Sequence, residues 1–324
     1  MKTFSIIVPI YQNEKNIPDT FPKLLSLEER LPGFSIEIVA VDDSSTDRSW
    51  AMLQEQQKTF PQKIKLIRLA RNFGQTPTIQ AGLRYVTGDC IGIISADLQD
   101  PYELFVEMVA QWKQGVKFVI GERTSRSESK IHQLVSNTYW SLLRALAFSD
   151  FPKFGYDFCL LDKQLVQDLI QINEKNTSIF PLIYWLGYRP VRIPTVRHLR
   201  TKGVSQWSTI KKISLALDTL IGFTYAPVRF ITFLGITTSL LAFIYLAYLL
   251  GTYFSQDSAP PGWMSVIGVI LTLGGLLLFS LGILSEYLWR ILDEARNRPA
   301  FVVDEYLDMK EEARPIVLEK SNVP

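Results

Sequence analysis

Short runs of β-branched and aliphatic residues recur through the first part of the chain: FSIIVPI at 4 to 10, IEIVAVDD at 36 to 43, IKLIRLA at 64 to 70, CIGIISAD at 90 to 97 and KFVIGER at 117 to 123. Between them apolar residues fall at helical spacing. Strands that are apolar throughout are buried on both faces, so the alternation predicts an α/β domain: a largely parallel sheet, helices on each side and right-handed crossovers. The pattern changes near Val228. Two runs, at about 228–254 and 263–289, are almost free of charge, and each exceeds the roughly 20 residues that cross hydrocarbon. They predict a pair of transmembrane helices joined as a hairpin.

Two further stretches, NTYWSLLRALAF at 137 to 148 and IKKISLALDTLIGFT at 210 to 224, put bulky apolar residues at helical spacing with basic residues nearby. Such helices suit the headgroup layer of a bilayer, although the first could equally pack on the core. The loop between the long runs, SQDSAPPG, lacks Lys and Arg, whereas Lys211, Lys212, Arg229, Arg290, Arg296 and Arg298 stand at the opposite ends. The positive-inside rule therefore places both termini and the α/β domain in the cytoplasm, on a multi-pass protein of the cell membrane. The expected organisation is an α/β domain at 1–208, an interfacial helix at 209–227, the two spans within 228–292 and a cytoplasmic tail at 293–324. The tail is expected to add a strand to a neighbouring subunit or to stay mobile. Gly268, Gly274, Gly275 and Gly282 allow close helix contact, within the hairpin or in a homo-oligomer. Glu286 is expected near the interface, paired with Arg290 one helical turn on, with a direct catalytic role as the alternative.

Net charge is only +2 over 324 residues, so nothing argues for nucleic acid, and any anionic partner has to be met by a local cluster. Cys90 and Cys159 lack ligand spacing and read as buried reduced thiols. The opening MKTFSIIVPIYQNE carries too short an apolar run for a signal peptide.

In a parallel α/β sheet, ligands bind beyond the carboxyl ends of the strands. Pro9, Tyr11, Asn13 and Glu14 stand at the end of the first apolar run, Asp42 and Asp43 at the second, Arg71 and Asn72 after the third, Asp97 and Gln99 at the fourth, and Arg123 at the fifth. No G-x-G-x-x-G follows the first strand and no P-loop motif occurs, which disfavours dinucleotide and P-loop chemistry. The hard oxygen donors of Asp97-Leu98-Gln99-Asp100 suit Mg²⁺ or Mn²⁺ bridging a diphosphate, a cation that stabilises a leaving nucleoside diphosphate as a Lewis acid. Asp97 could instead cap a helix ahead of Pro101. Asp42 and Asp43 could accept hydrogen bonds from uracil and ribose, or Asp43 could cap the helix that starts near Asp47.

PIYQNE (9–14), VDDSSTD (41–47), RNFGQ (71–75) with Gly82, ADLQDP (96–101) and GER (121–123) together resemble family 2 glycosyltransferases of the GT-A fold. With the two spans, the chain is most similar to the polyprenyl-phosphate glycosyltransferases, the group of bactoprenol glucosyltransferases and dolichol-phosphate mannose synthases. The resemblance runs from about Ser5 to Val303. It implies inverting transfer of a hexose, glucose above all, from UDP-glucose to a polyisoprenyl phosphate such as undecaprenyl phosphate. Pro9, Tyr11, Asn13, Glu14, Asp42, Asp43, Arg71, Gln75 and Asp97 would bind the donor nucleotide, and Asp97 and Gln99 the metal. Where many relatives have Asp-x-Asp this chain has Ser95-Ala96-Asp97, which leaves the first ligand weaker or water-mediated.

The resemblance also places Asp157, in KFGYDFCLL, beside the acceptor phosphate and the sugar carbon, with Asp97 and Arg123 as further catalytic residues. A solvated loop aspartate is the alternative for Asp157. The basic loop HLRTKGVSQWS offers Arg200, Lys202 and Ser205 to a phosphate, whether of donor, lipid acceptor or headgroup. Mannosyl or amino-arabinosyl transfer, a processive polysaccharide synthase and a non-enzymatic membrane scaffold are the competing readings. The synthase lacks its Gln-x-x-Arg-Trp here, and only Ser205-Gln206-Trp207 stands near its place.

Overall fold

The computed structural model describes residues 1–124, 130–172, 174–175, 177–197, 209–255 and 262–308. The chain divides into two compact units, Met1–Ala216 with Pro299–Pro324, and Leu217–Arg298. The first begins with β1 (Lys2–Ile10), α1 (Ile17–Leu25), α2 (Leu27–Arg30), β2 (Phe34–Asp42), α3 (Ser49–Thr59), β3 (Ile64–Leu69), α4 (Gln75–Tyr85) and β4 (Cys90–Ile93). It continues through α5 (Leu104–Lys113), β5 (Phe118–Arg123), α6 (Lys130–Leu146), β6 (Cys159–Asp162), α7 (Lys163–Ile170), α8 (Ile179–Trp185) and β7 (Val191–Thr195). Then come α9 (Thr209–Phe223), α10 (Ala226–Ser255), α11 (Trp263–Ala295) and β8 (Val303–Leu307).

All eight strands join one sheet in the order β7-β5-β6-β4-β1-β2-β3-β8. Four of its seven pairings are parallel; β6 runs antiparallel to β4 and β5, and β8 antiparallel to β3. This is the α/β architecture that the GT-A resemblance implies. Both faces are covered, as uninterrupted apolar strands demand. Ile38 and Ala40 of β2 join Phe4, Ile6 and Val8 of β1 in one core cluster, whereas the alternating Val39 and Val41 join Ile67, Leu69 and Ala81 in another. A Cβ on Gly82 would come within 2.7 Å of Ile7, so glycine there lets α4 lie close on β1. Cys90 and Cys159 are buried and unlinked, and burial pushes both thiols up.

The strands differ from the expected ones where the physics is least periodic. The fourth ends at Ile93, because residues 95–98 turn away with Leu98 at a φ of 45°. β7 carries Pro194, which cannot donate to a central ladder, and it lies at the sheet's edge. The tail's strand closes the chain's own sheet: Tyr306 of β8 pairs with Ile67, Gln57 Nε2 donates to the Leu307 carbonyl at 2.8 Å, and buried Lys65 meets Asp308 at 3.5 Å and Glu37 at 3.0 Å.

In the second unit, α10 and α11 are long enough and apolar enough to cross a membrane. Their large side chains face outward, with Phe233 68% and Leu278 71% exposed, a surface that suits lipid rather than water. The hydroxyls of Thr232, Thr237, Thr238, Thr272, Ser280 and Ser285 each donate to the carbonyl four residues earlier, so none of these protons needs an outside acceptor. Among the described residues, a Cβ on Gly268, Gly274, Gly275 or Gly282 would meet no atom within 4 Å, so the described packing within the hairpin does not require these glycines. Arg290, expected beside Glu286, donates to Asp218 of α9 at 2.8 Å.

Candidate active site

Backbone strain concentrates at the carboxyl ends of β1, β2 and β4. Among the described residues, four that are not glycine have positive φ. Three of them, Gln12 at 51°, Ser44 at 58° and Leu98 at 45°, lie in the loops that follow these strands, and the fourth, Asn297, lies just past α11. Such conformations persist only where the surroundings enforce them, and they gather at functional sites.

The loops after β1 and β2 are stitched together. The Gln12 amide donates to Ser45 Oγ at 3.0 Å, that of Asn13 to Ser49 Oγ at 2.8 Å and that of Glu14 to Asp47 at 3.3 Å, while Glu14 accepts from the Arg48 amide at 3.2 Å. Pro9 lies within β1 beside Val41, and Tyr11 is half-buried at the strand's end. Asp42 is fully buried and accepts from the Ser45 amide; burial raises its carboxyl despite that bond. Asp43, 4% exposed, accepts from the amides of Phe73 at 2.7 Å and Gly74 at 2.8 Å. Burial drives it to about 6 against those two bonds. Asp43 thus ties β2 to the loop before α4, while α3 begins at Ser49 with no side-chain cap. That loop leaves Arg71 exposed, its guanidinium 4.1 Å from the Phe73 ring centroid, and starts α4 at Gln75.

Beyond β4, Ser95 Oγ donates to Asp97 Oδ1 at 2.7 Å, and the Gln99 amide reaches the same oxygen at 3.4 Å. Asp97 does not start the following helix, which begins at Leu104 after Glu103. Ser95 therefore orients the carboxylate in the place where Asp-x-Asp would add a second charge. Among the described residues no three His, Cys, Asp or Glu side chains gather into a metal cage. The Asp97 carboxylate and the side-chain carbonyl oxygen of Gln99 are hard donors that would suit a cation arriving with a diphosphate and taking its remaining ligands from phosphate and water.

The loop after β4 meets β5, β6 and β7 in a cluster of four charges. Asp157 precedes β6, whose antiparallel course sets its amino end beside the carboxyl end of β5. Arg123 closes β5 and donates through Nη2 to Asp157 Oδ1. Arg197, two residues beyond β7, brings Nη1 to 3.6 Å from Asp157 Oδ2 and Nε to 4.0 Å from Asp100 Oδ2. Asp100 is 1% exposed and shares a hydrogen bond with Asp157, and its Oδ1 has no hydrogen-bond partner among the described residues. Burial, then the charge of Asp157, push Asp100 up to about 6 against both arginines. Burial would raise Asp157 too, but Arg123 and then Arg197 hold it below the ordinary carboxylate range. The cluster keeps Asp157 ionised, 25% exposed and oriented by two guanidiniums, whereas its alternative, a solvated loop carboxylate, would have no such partners.

Neither Asp100 nor Arg197 stands out in the sequence as a site residue. Asp100 lies in the tetrad, but its burial is not written there. Arg197 becomes visible once VRIPT is read as a strand, because it then follows a strand end like the rest. Arg200, Lys202 and Ser205 lie outside the described residues.

The Asp157 loop is held from behind by aromatics. Trp140 of α6 stacks on Phe151 at 5.4 Å, and Tyr156 OH donates to the Phe180 carbonyl at 2.6 Å. Gly155 has a φ of 69°, and a Cβ there would come within 2.3 Å of the Trp140 ring. Gly155→Ala is expected to cost about 2–3 kcal/mol, from backbone strain plus overpacking, and to lower turnover by shifting Asp157. Thermal unfolding and kcat measured on the same preparation check this; a variant that matches the parent in both would remove Gly155 from the support of the loop.

Comparison with known proteins follows the same geometry. The family model described as glycosyl transferase family 2 matches residues 5–168, a span that runs from within β1 through β6 and includes Asp97, Asp100, Arg123 and Asp157. The uncharacterized glycosyltransferase YkcC of Bacillus subtilis is 33% identical over 93% of this chain and 93% of its own. A prophage-derived bactoprenol glucosyl transferase of Shigella flexneri is 28% identical over 92% of this chain and 96% of its own. Among solved structures, a mannosyltransferase of Pyrobaculum calidifontis aligns over 88% of this chain and 87% of its own, at 16% identity and a TM-score of 0.45. From the match over half its length and the relatives that share nearly all of it, the chain belongs to glycosyl transferase family 2 and is a glycosyltransferase.

Proposed function

We propose that the protein transfers a hexose, glucose in our reading, from a UDP-sugar to a polyisoprenyl phosphate such as undecaprenyl phosphate at the cytoplasmic face of the cell membrane. The product is a lipid-linked sugar for cell-surface glycan modification. The observation that carries the reading is the convergence of Asp97, Asp100, Arg123 and Asp157 at one end of the sheet, in a chain that also holds two membrane-length helices. The name of the Shigella relative, matched over 92% of this chain, supports the lipid acceptor.

Topology supports the membrane placement by an argument separate from charge. The chain leaves the sheet-bearing unit at Ala216 and rejoins it at Pro299, and β8 pairs with β3. Two crossings return it to the side from which it left, which puts the sheet and its last strand together. On this reading α6 and α9 rest at the headgroup layer, and the glycines of α11 are available to contacts between copies.

In the proposed reaction a non-bridging oxygen of the lipid phosphate attacks the anomeric carbon. The bond from that carbon to the β-phosphate oxygen breaks, its electron pair leaves with UDP, and the configuration inverts. A phosphate monoester has a second pKa near 6, so the nucleophile is already largely ionised and needs no strong base. Pro9, Tyr11, Asn13, Glu14, Asp42, Asp43, Arg71 and Gln75 shape the nucleotide side. Asp157 positions the acceptor and offsets positive character on the sugar ring, while Arg123, Arg200, Lys202 and Ser205 meet the phosphates. Asp97 and Gln99 would hold Mg²⁺ or Mn²⁺, which would supply Lewis-acid stabilisation of the diphosphate leaving group.

A panel of radiolabelled nucleotide sugars, incubated with the full chain in vesicles carrying undecaprenyl or dolichyl phosphate, tests the reading. UDP-glucose with undecaprenyl phosphate is expected to give organic-extractable label that a chelator abolishes. Label from a mannosyl or amino-arabinosyl donor would replace the sugar, and label in no lipid from any donor would sink the acceptor.

A further inference from the structure

Asp157 is gripped from two sides, and the proposed mechanism uses only one. Arg123 and Arg197 arise from neighbouring parallel strands, with Arg123 in register with Thr195 of β7. The Thr124 amide donates to the Thr195 carbonyl at 3.0 Å, which carries the alignment past the strand ends. Both guanidiniums reach the Asp157 carboxylate, Arg123 from the end of β5 and Arg197 from two residues beyond β7. Arg123 takes Oδ1 of Asp157 and Arg197 faces Oδ2, so each oxygen of the carboxylate has its own cation.

Arg197 also stands 4.0 Å from Asp100, the second carboxylate of the cluster. Without it, two adjoining carboxyl groups would share one arginine and Asp157 could turn about its Cα–Cβ bond. Its side chain is 30% exposed, at a distance of ion pairing rather than of tight hydrogen bonding, and its Nε has no hydrogen-bond partner among the described residues. That is loose attachment for an arginine whose work would be stability alone.

We infer that Arg197 is a positioning residue for the transfer reaction, holding the second oxygen of Asp157 so that this carboxylate faces the reacting sugar in a single orientation. The inference rests on the role proposed above for Asp157. It assigns work to a residue beyond the reach of the matched family segment, which ends at residue 168.

The test is steady-state kinetics of the full chain in vesicles, with UDP-glucose and undecaprenyl phosphate, alongside the Kd of UDP measured by calorimetry. Arg197→Gln is expected to lower kcat about 10–100-fold while the donor KM and the UDP Kd stay within about threefold, the signature of an interaction that matters in the transition state only. Arg197→Lys restores the charge without the planar fork and is expected to recover part of the loss; it also carries the comparison where glutamine costs the fold. In an Asp157→Asn background, Arg197→Gln is expected to cost less than about threefold, because the group it positions has gone.

A kcat within twofold of the parent overturns the inference. So does a UDP Kd raised tenfold or more, which makes Arg197 a ligand of the donor diphosphate, and so do losses that multiply in the double variant. Asp157→Asn with normal turnover overturns the underlying role of Asp157 as well, whereas an inactive Asp157→Asn beside an active Arg197→Gln overturns this inference alone.

Discussion

Asp157→Asn is expected to lower kcat by about 10²–10³-fold, the range for removing one preorganised electrostatic contact from a site of developing charge. The amide keeps the shape of the carboxylate and loses its charge, so Arg123 and Arg197 would face Asp100 as their remaining carboxylate in the cluster. Donor binding is expected to stay within about threefold, because the nucleotide side proposed above draws mainly on the loops after β1, β2 and β3, away from Asp157. A fall in kcat at unchanged KM marks an interaction realised in the transition state. Near-normal turnover in Asp157→Asn, set against loss in Asp97→Asn, would show that the chemistry depends on the β4 loop alone.

Removing β8, by ending the chain after Arg298, is expected to cost several kcal/mol and to cause aggregation. The deletion strips Phe301, Val303 and Tyr306 from the cluster of Val39, Val41, Ile67 and Leu69, and the Tyr306 ring from its place 4.7 Å from Tyr85. It also bares the β3 edge, an unpaired apolar strand able to template pairing with another chain. Lys65 would lose Asp308 and keep Glu37, itself buried against Ser5 and Thr87, together with the Tyr85 carbonyl at 3.2 Å. Lys65→Met separates the two contributions: it keeps β8 and leaves Glu37 buried without its cation, a change worth about 3–5 kcal/mol. Equal thermal unfolding of the truncated and full chains, with equal solubility in detergent, would show that β8 is dispensable.

The parts of the fold legible in the sequence are those with one dominant physical constraint. β1, β2, β3 and β5 are largely buried and read as runs rich in β-branched and aliphatic residues, and α10 and α11 show because they are long and almost free of charge. β6 is only four residues long, β7 contains a proline, and β8 is five residues long with Asp304 and Glu305 adjacent, so each depends on tertiary partners far along the chain. The strand-end rule pointed to Asp97, to Arg123 and to Asp42 and Asp43 at the end of β2, all of which stand at strand ends or in the loops beyond them, but it could not tell exposed carboxylates from buried ones. Asp43, read with Asp42 as an acceptor for uracil and ribose or as a helix cap, accepts one backbone amide of the next loop on each oxygen, and only the fold shows this. Arg197 escaped because its strand did.

The closing strand also sets a schedule. β3 is complete at Leu69, but its outer neighbour begins at Val303, after both long helices have been made. At about 5–20 residues per second the open edge waits on the order of 10–50 seconds during synthesis. On the proposed topology, β8 reaches that edge only when α10 and α11 have been threaded out and back. The enzyme is thus finished last at the end farthest from its chemistry, and a chain whose second helix fails to return carries its own mark for disposal: an unsealed sheet.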